Sequence, residues 1–215
     1  MLLRSLLLLL CMAALAAAPQ PADPLDALFA RGKVMQATLH SISASFTETT
    51  LSSLLRDPLV ARGTVVAAVP LRMLMTYTTP EVRYVLMDQT RIVTVVPSRR
   101  ERDELNIADM QRRIQRYFVE ASPKELRQSF DISLAPDPAL PGADLMDMRP
   151  RRKQIKEGLA RLRLWIDRTS LVMSKLRMDY ADGDSRTIEL SDIKINPPVD
   201  DRTFAIPSGR SGSGG

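Results

Sequence analysis

The sequence predicts a mainly β protein with some α-helix (α+β), built on one antiparallel sheet of many strands that is strongly twisted and curved. Residues 61–97 contain short runs rich in Val, Tyr, Thr and Ile, separated by Gly, Pro and Asp, which is typical of a strand meander. Residues 161–167, 175–180 and 188–191 alternate apolar with polar side chains, which indicates strands with one dry face and one wet face. A sheet of this size must curl or pack. We therefore expect helices to cover its inner surface.

The first residues have the pattern of a secretory signal peptide. Arg4 precedes an apolar core from Leu6 to Leu15, and small residues follow it. This apolar run is too short to span a bilayer. We expect cleavage near Ala16, which gives a signal peptide of residues 1–16, a single domain of residues 17–208 and a flexible tail of residues 209–215.

Composition limits the chemistry of the mature chain. The 215 residues are 45% hydrophobic and 26% charged, which is ordinary for a globular protein. The only cysteine, Cys11, lies in the signal peptide, so we expect no disulfide, thiol catalysis or cysteine metal site. The net charge of +5 falls by one unit when Arg4 is removed. This excess is compatible with an anionic membrane surface and too weak to argue for a nucleic-acid partner.

Helix caps predict three helices. Asp23-Pro24 places a cap and an N1 proline before a helix that ends near His40. The charged run of residues 98–105 leads to a second helix, capped by Asn106, and a Ser122-Pro123-Lys124-Glu125 capping box opens a short third helix. The last two helices interrupt a chain that otherwise consists of strands.

Strand alternation assigns side chains to faces. Ile42, Ala44 and Phe46 share one face of the first strand. In the meander, alternate positions 73, 75 and 77 share a face, and Leu74 lies on the other. Both faces of the meander have apolar content, so we expect one to be covered and the other to border a second apolar space.

Four stretches of the chain resemble the periplasmic outer-membrane lipoprotein carrier family of the LolA type. Residues 45–48 lie where the family has a Ser-Phe-x-Gln strand, and residues 63–80 resemble its Gly-strand-Pro-strand-Pro pattern. Residues 87–97 resemble its Asp-Gly turn and following strand, and residues 192–207 resemble its closing segment. The similarity extends over essentially the whole mature chain.

The chain departs from the family at three positions. Val69 stands where the family places a basic residue that helps to latch the lid, Met75 where it has Trp, and Gln89 where it has the turn glycine. This pattern is closer to divergent relatives of the carrier than to the carrier itself.

The resemblance implies an incomplete β-barrel, covered by an N-terminal helix and a helical lid insertion, which holds the acyl chains of a lipoprotein in the periplasm. It also implies an inner-membrane release complex and an outer-membrane receptor as partners, with no cofactor, metal or catalytic residue. We predict that the acyl chains contact these side chains: Phe46, Met73, Met75, Tyr77, Tyr84, Leu86, Val93, Val95, Met110, Ile114, Phe118, Leu164, Ile166, Met178 and Tyr180.

Several alternatives stay open at this point. The apolar face of residues 73–77 is either core or cavity wall, and the predicted helix at residues 107–118 is either fixed packing or a mobile lid. The basic cluster of Arg149, Arg151, Arg152 and Lys153 is either a solvated loop or a contact to anionic phospholipid. The alternative function is a periplasmic domain of carrier-like fold that senses a lipid or a membrane regulator. The sequence contains no Gly-x-Ser-x-Gly, His-Glu-x-x-His or phosphate-binding glycine loop, so we do not expect an enzyme.

Overall fold

A computed structural model of the chain describes residues 23–70, 72–109 and 122–207. Within these ranges, eleven strands form one antiparallel sheet in the order β6-β5-β4-β3-β2-β1-β11-β10-β9-β8-β7. The strands β6 and β7 are the two edges, so the sheet is not closed and forms an incomplete barrel. The strands are β1 Ser41–Leu51, β2 Leu59–Ala68, β3 Arg72–Thr79, β4 Arg83–Met87, β5 Arg91–Val96, β6 Glu101–Asn106, β7 Phe130–Pro136, β8 Ala143–Pro150, β9 Leu159–Asp167, β10 Met173–Tyr180 and β11 Ser185–Ile195.

Two of the helices begin at caps that the sequence predicts. Helix α1, Pro24–Thr38, follows Asp23, whose carboxylate accepts a hydrogen bond from the amide of Leu25 at 2.9 Å. Helix α2, Pro123–Ser129, opens with the Ser122–Glu125 capping box, in which each side chain bonds the other residue's backbone amide. A single turn, α3, covers Lys153–Lys156. No helix in the described ranges is long and apolar enough to cross a membrane.

The edge strand β6 is an element that the sequence does not indicate. Its residues, ERDELN, have no apolar alternation, and its status as a strand comes from pairing with β5, in register Arg91 to Asn106 and Val96 to Glu101. Charged side chains on an edge strand discourage pairing with other chains. The charged residues that leave this strand without a recognisable sequence pattern are therefore suited to its position at the edge of the sheet.

Helices α1 and α2 pack on one face of the sheet, which we call the inner face; the opposite one is the outer face. Leu25 of α1 and Leu126 of α2 form a buried cluster with Phe130, Met146 and Met148 of β7 and β8. Leu28 and Phe29 lie three and four residues after Leu25, on the same side of α1, and pack against this cluster. The helices thus cover the inner face at the β7–β9 end of the sheet.

A second cluster on the inner face forms around Phe46, Ala61 and Tyr77, at the centre of the sheet. Gly63 of β2 lies opposite both Phe46 of β1 and Tyr77 of β3. A Cβ at residue 63 would overlap the carbonyl oxygen of Thr76, closer than real Cβ atoms approach any neighbour. Gly63 therefore lets the strands approach closely and leaves space in which side chains of β1 and β3 meet above β2.

Candidate functional site

An apolar surface runs across the inner face from β4 to β7. Register connects its members strand by strand: Met146 lies opposite Leu164, and Leu164 lies opposite Leu176. On the other side of the sheet centre, Val65 lies opposite Met75, which lies opposite Val85. In strand order, the surface contains Val85, Met87, Met73, Met75, Val65, Ala44, Phe46, Leu190, Ile188, Leu176, Met178, Leu162, Leu164, Met146, Met148, Ile132 and Leu134.

Many of these apolar side chains are only partly buried. Met75, Val85, Leu176 and Met178 all keep some solvent exposure, whereas Met148, beneath the helices, is 1% exposed. Contiguous, partly exposed apolar surface of this extent is uncommon on a soluble protein and marks binding sites for apolar ligands or partners. The inner face from β10 to β4 lies outside the cluster that α1 and α2 form with the sheet in the described ranges; we call it the uncovered inner face, and it is the candidate site.

Eight of the predicted acyl-contact residues share the inner face. Register and alternation bring together Phe46 of β1 with the predicted residues of β3, β9 and β10, although these strands lie far apart in the sequence. These residues are Phe46, Met73, Met75, Tyr77, Leu164, Ile166, Met178 and Tyr180.

Four other predicted residues lie on the outer face. Tyr84 is paired with Thr76 and Val95, and Leu86 is paired with Leu74 and Val93, so none of the four shares a face with Met75. Val93 and Val95 are each 1% exposed, so they are buried on that side of the sheet. In β4 it is Val85, next in sequence, that stands beside Met75.

The sequence does not indicate the face on which these four residues lie, because the turn at residues 80–82 sets which meander positions pair and no pattern in β4 reveals that pairing. All five β4 residues are partly buried, so the strand has no wet face to identify. The predicted lid residues Met110, Ile114 and Phe118 lie outside the described ranges.

A polar cluster interrupts the apolar inner face at one end of β1, β3, β4 and β11. The phenol of Tyr77 donates a hydrogen bond to Glu48 at 2.9 Å, and Nε of Arg186 lies 3.7 Å from the other carboxylate oxygen of Glu48. The guanidinium carbon of Arg83 lies 3.9 Å from the centroid of the Tyr77 ring. Glu48 keeps only 8% of its side chain exposed, whereas Arg186 keeps 45%. The cluster thus extends from the interior to solvent.

The environment of Tyr77 changes its acidity. Burial raises the pKa of the phenol, the negative charge of Glu48 raises it further, and Arg83 acts in the opposite direction. Sequence reasoning finds Tyr77 but not Glu48, Arg83 or Arg186 as its neighbours. The sequence does show a charged residue at an inner-face position in each of β1, β4 and β11. These residues identify a cluster only when the pairing of the strands is known.

A cavity of about 750 Å³ lies at the opposite end of β2 and β3. It is bordered by Val69 and Pro70, by the Asp88–Thr90 turn and by Phe204. The guanidinium of Arg72 lies 4.5 Å from the centre of the Phe204 ring and 2.6 Å from Asp201, which ties β3 to the C-terminal segment. Val69, which replaces the family's basic residue, is 66% exposed.

The outer face of β8–β10 is charged. Arg161 pairs with Asp147, and Arg163 pairs with Asp179 at 2.8 Å. Trp165 lies on this face of β9, where its ring contacts Lys175 and its indole N–H donates to Asp137. The predicted basic contact residues Arg149, Arg151, Arg152 and Lys153 are exposed, from the end of β8 to the first residue of α3. In the described ranges, no three His, Cys, Asp or Glu side chains stand close enough to hold a metal ion.

Comparisons with known proteins agree with this architecture. A solved structure of an uncharacterized conserved protein from Thermus thermophilus has a TM-score of 0.56 at 12% identity, over 86% of this chain and 97% of that chain. The complex of MucA and MucB from Pseudomonas aeruginosa contains a chain with a TM-score of 0.54 at 14% identity, over 85% of this chain and 61% of that chain. At such identities these matches show a shared fold. A comparison with curated proteins finds no significant match in sequence.

The sequence also matches a protein family, described as outer membrane lipoprotein carrier protein LolA, over residues 37–207. The match begins at the end of α1, includes all eleven strands described above and ends after the Asp201–Phe204 turn. The matched residues therefore include the whole open eleven-stranded sheet with its apolar, partly covered inner face. Because most of the chain is matched, this protein belongs to the LolA family of outer membrane lipoprotein carrier proteins.

Proposed function

We propose that this protein is a periplasmic carrier that binds acyl chains of a lipoprotein, or of a related lipidated product, on the uncovered inner face. The single observation that carries this proposal is the continuous apolar surface from β10 to β4, many of whose side chains stay partly exposed. An acyl chain laid on this surface would bury both its own methylenes and these side chains.

Magnitudes favour a moderately apolar, deformable site. Burial of one methylene is worth about 0.8 kcal/mol, so a long acyl chain does not cross water unshielded. The membrane that receives the chain offers a similar gain per methylene, so a carrier that bound much more tightly would not release its cargo. The free energy of acyl binding to the site therefore needs to match that of insertion into the bilayer and need not exceed it.

The side chains of the inner face suit such a site. Met73, Met75 and Met87 stand side by side on β3 and β4, and Met178 stands across the sheet centre on β10. Methionine is flexible and polarizable, so it adapts to an irregular or mobile apolar ligand. A wall of methionine accepts chains of different shape with little loss of packing.

Family membership and the N-terminal sequence support a proposal for location and partners. We propose secretion through the cleaved signal peptide, transfer of cargo from an inner-membrane release complex, and delivery to a receptor at the outer membrane. The exposed cluster of Arg149, Arg151, Arg152 and Lys153 would add contact to anionic phospholipid during either step. Catalysis is not part of this proposal.

The sensing alternative has less support. It rests on the similarity to the MucB fold, in a structure where that protein is bound to MucA, and the likeness is at the level of fold, at 14% identity. The family match favours the carrier.

The proposal is tested by purifying the mature protein from its native cells and identifying co-purifying material by mass spectrometry. We expect acylated protein or lipid, and we expect the stripped protein to bind acyl chains again. A protein that is recovered without lipid and has no affinity for acyl chains would contradict the carrier function.

A further inference from the structure

The polar cluster on the inner face is unusual because it carries an excess of positive charge inside an apolar surface. Arg83 and Arg186 contribute two cations, and Glu48 contributes one carboxylate. Glu48 is already engaged by Tyr77 and lies 3.7 Å from Arg186. The pair of Glu48 and Arg186 is neutral as a unit, and the charge of Arg83 remains.

Arg83 has an aromatic neighbour and its charge acts on the Glu81 carboxylate, but it makes no salt bridge among the described residues. Its guanidinium stacks on the Tyr77 ring, an arrangement that stabilises a cation without neutralising it. Its Nε is buried and has no hydrogen-bond acceptor in the described part of the chain. The nearby carboxylate of Glu81 is engaged by Ser98 and, at 2.8 Å, by Arg99.

A comparison within the chain supports this distinction. Nε of Arg163, on the outer face, is also buried without an acceptor in the described ranges, but the same guanidinium pairs with Asp179 at 2.8 Å. Arg163 is therefore a neutralised cation with one unused donor. Arg83 combines the buried, unused Nε donor with a side chain that is only partly buried and makes no salt bridge in the described ranges, and a buried donor without an acceptor calls for an explanation.

The position of Arg83 suggests which kind of group would supply a hydrogen-bond acceptor to its guanidinium. Arg83 lies opposite Tyr77, whereas Val85, two residues along the same face, lies opposite Met75 on the apolar surface. A ligand that places acyl chains over Met75 and Val85 would bring a group at the end of its chain to Arg83. An anionic oxygen there would accept a charge-assisted hydrogen bond, which is among the stronger polar contacts in proteins.

Resting on the acyl-binding function proposed above, we propose that Arg83, presented by Tyr77, is a subsite for the anionic head group of an amphiphile whose chain lies on the inner face. The chemistry is that of a carboxylate or phosphate oxygen attached to an acyl chain. Arg83 binds the oxygen, Tyr77 orients the guanidinium from below, and Glu48 fixes the phenol of Tyr77. The subsite makes the carrier selective for charged over uncharged acyl ligands.

Competition binding tests this subsite on the whole mature protein. An uncharged fluorescent hydrocarbon probe is displaced by palmitate, by palmitoyl lysophosphatidic acid or by methyl palmitate, each below its micelle concentration. We expect both anionic lipids to bind at least about tenfold more tightly than the methyl ester, which is the effect of one such contact. Inorganic phosphate, which has no chain, is expected not to displace the probe.

The matched variants are Arg83→Met and Arg102→Met. Both remove one positive charge, but Arg102 lies on β6 opposite Val95 on the outer face, where its nearest carboxylate is 3.9 Å away. We expect Arg83→Met to lose the preference for anions and to keep its affinity for methyl palmitate within about twofold, whereas Arg102→Met keeps the preference. Circular dichroism and thermal unfolding establish that both variants fold.

The outcomes separate this subsite from the acyl-binding function. Equal affinity for charged and uncharged lipids, or a preference that survives in Arg83→Met, would overturn the subsite and leave acyl binding intact. Displacement of the probe by inorganic phosphate would also overturn it, because the site would then bind free anions. Failure of every lipid to displace the probe would overturn both proposals.

Discussion

The rings of Phe46 and Tyr77 meet edge to face above Gly63, with centroids 4.9 Å apart and planes at 77°. This contact joins side chains from β1 and β3 across the intervening strand β2. It is possible because position 63 has no side chain, and because Ala61, two residues earlier on the same face, is small. The aromatic pair closes the space above β2 and presents the Tyr77 hydroxyl to Glu48.

The close approach of the strands at Gly63 predicts that even replacement by alanine strongly destabilises the protein. In Gly63→Ala the new methyl would overlap the carbonyl oxygen of Thr76 and lie 2.9 Å from Cζ of Phe46, so a strand or the aromatic pair must move. We expect the free energy of unfolding to fall by about 2 kcal/mol or more, measured by urea denaturation.

A control for this substitution exists in α1. A Cβ at Gly32 would meet no atom within 4 Å, so Gly32→Ala should stabilise the protein by about 0.5–1 kcal/mol. Equal effects of the two substitutions would mean that close approach at Gly63 is not what requires glycine.

The hydrogen bond between Tyr77 and Glu48 predicts a change in acidity. The pKa of the Tyr77 phenol lies above its ordinary value of 10.0 because of burial first and the charge of Glu48 second. Glu48→Gln removes only the charge, so the pKa should fall but stay above the ordinary value. The ultraviolet absorbance of tyrosinate, taken as the difference from matched Tyr77→Phe variants, measures it. An unchanged pKa would show that Glu48 does not act on the phenol.

The carboxylate of Asp88, in the turn between β4 and β5, predicts that the protein loses stability in acid. Burial would raise the pKa of Asp88, but hydrogen bonds from Thr90 and Arg91 outweigh it and lower the pKa from 3.8 to about 2. A lowered carboxyl pKa stabilises the fold above the unfolded value, and this stabilisation is lost as the pH falls from about 4 towards 2.

The variant Asp88→Asn tests this sign. It should be less stable than the wild type by about 1 kcal/mol at neutral pH, a value discounted because 31% of the Asp88 side chain is exposed. Urea denaturation at several pH values should show the difference narrowing below pH about 4. A difference that stays constant down to the lowest pH would contradict the role of the carboxylate charge.

Much of the fold is readable from local pattern. The caps at Asp23 and Ser122, and the alternation in β9, β10 and β11, depend on neighbours within a few residues, and the structure confirms them. The curved, unclosed antiparallel sheet is confirmed as well.

Features that depend on pairing between distant residues are not readable in this way. The charged edge strand Glu101–Asn106 is defined by β5, and the placement of Tyr84 on the outer face is defined by its pairing with Thr76. The cluster of Glu48, Arg83 and Arg186 depends on the order of strands β4, β3, β2, β1 and β11. Predicting each of these features requires the strand register, because a one-residue shift would move the side chains of a strand to the opposite face.

The most direct test of the central claim is the affinity for acyl chains of Met75→Glu, compared with Thr76→Glu. The two substitutions introduce the same charge at neighbouring positions of β3, on the inner and outer face respectively. In Met75→Glu a carboxylate would face the acyl chain, so binding of palmitate or methyl palmitate should be lost while circular dichroism shows a folded sheet. Thr76→Glu should bind both lipids as the wild type does. Unimpaired binding by Met75→Glu, or loss of binding by Thr76→Glu alone, would contradict the inner face as the acyl site.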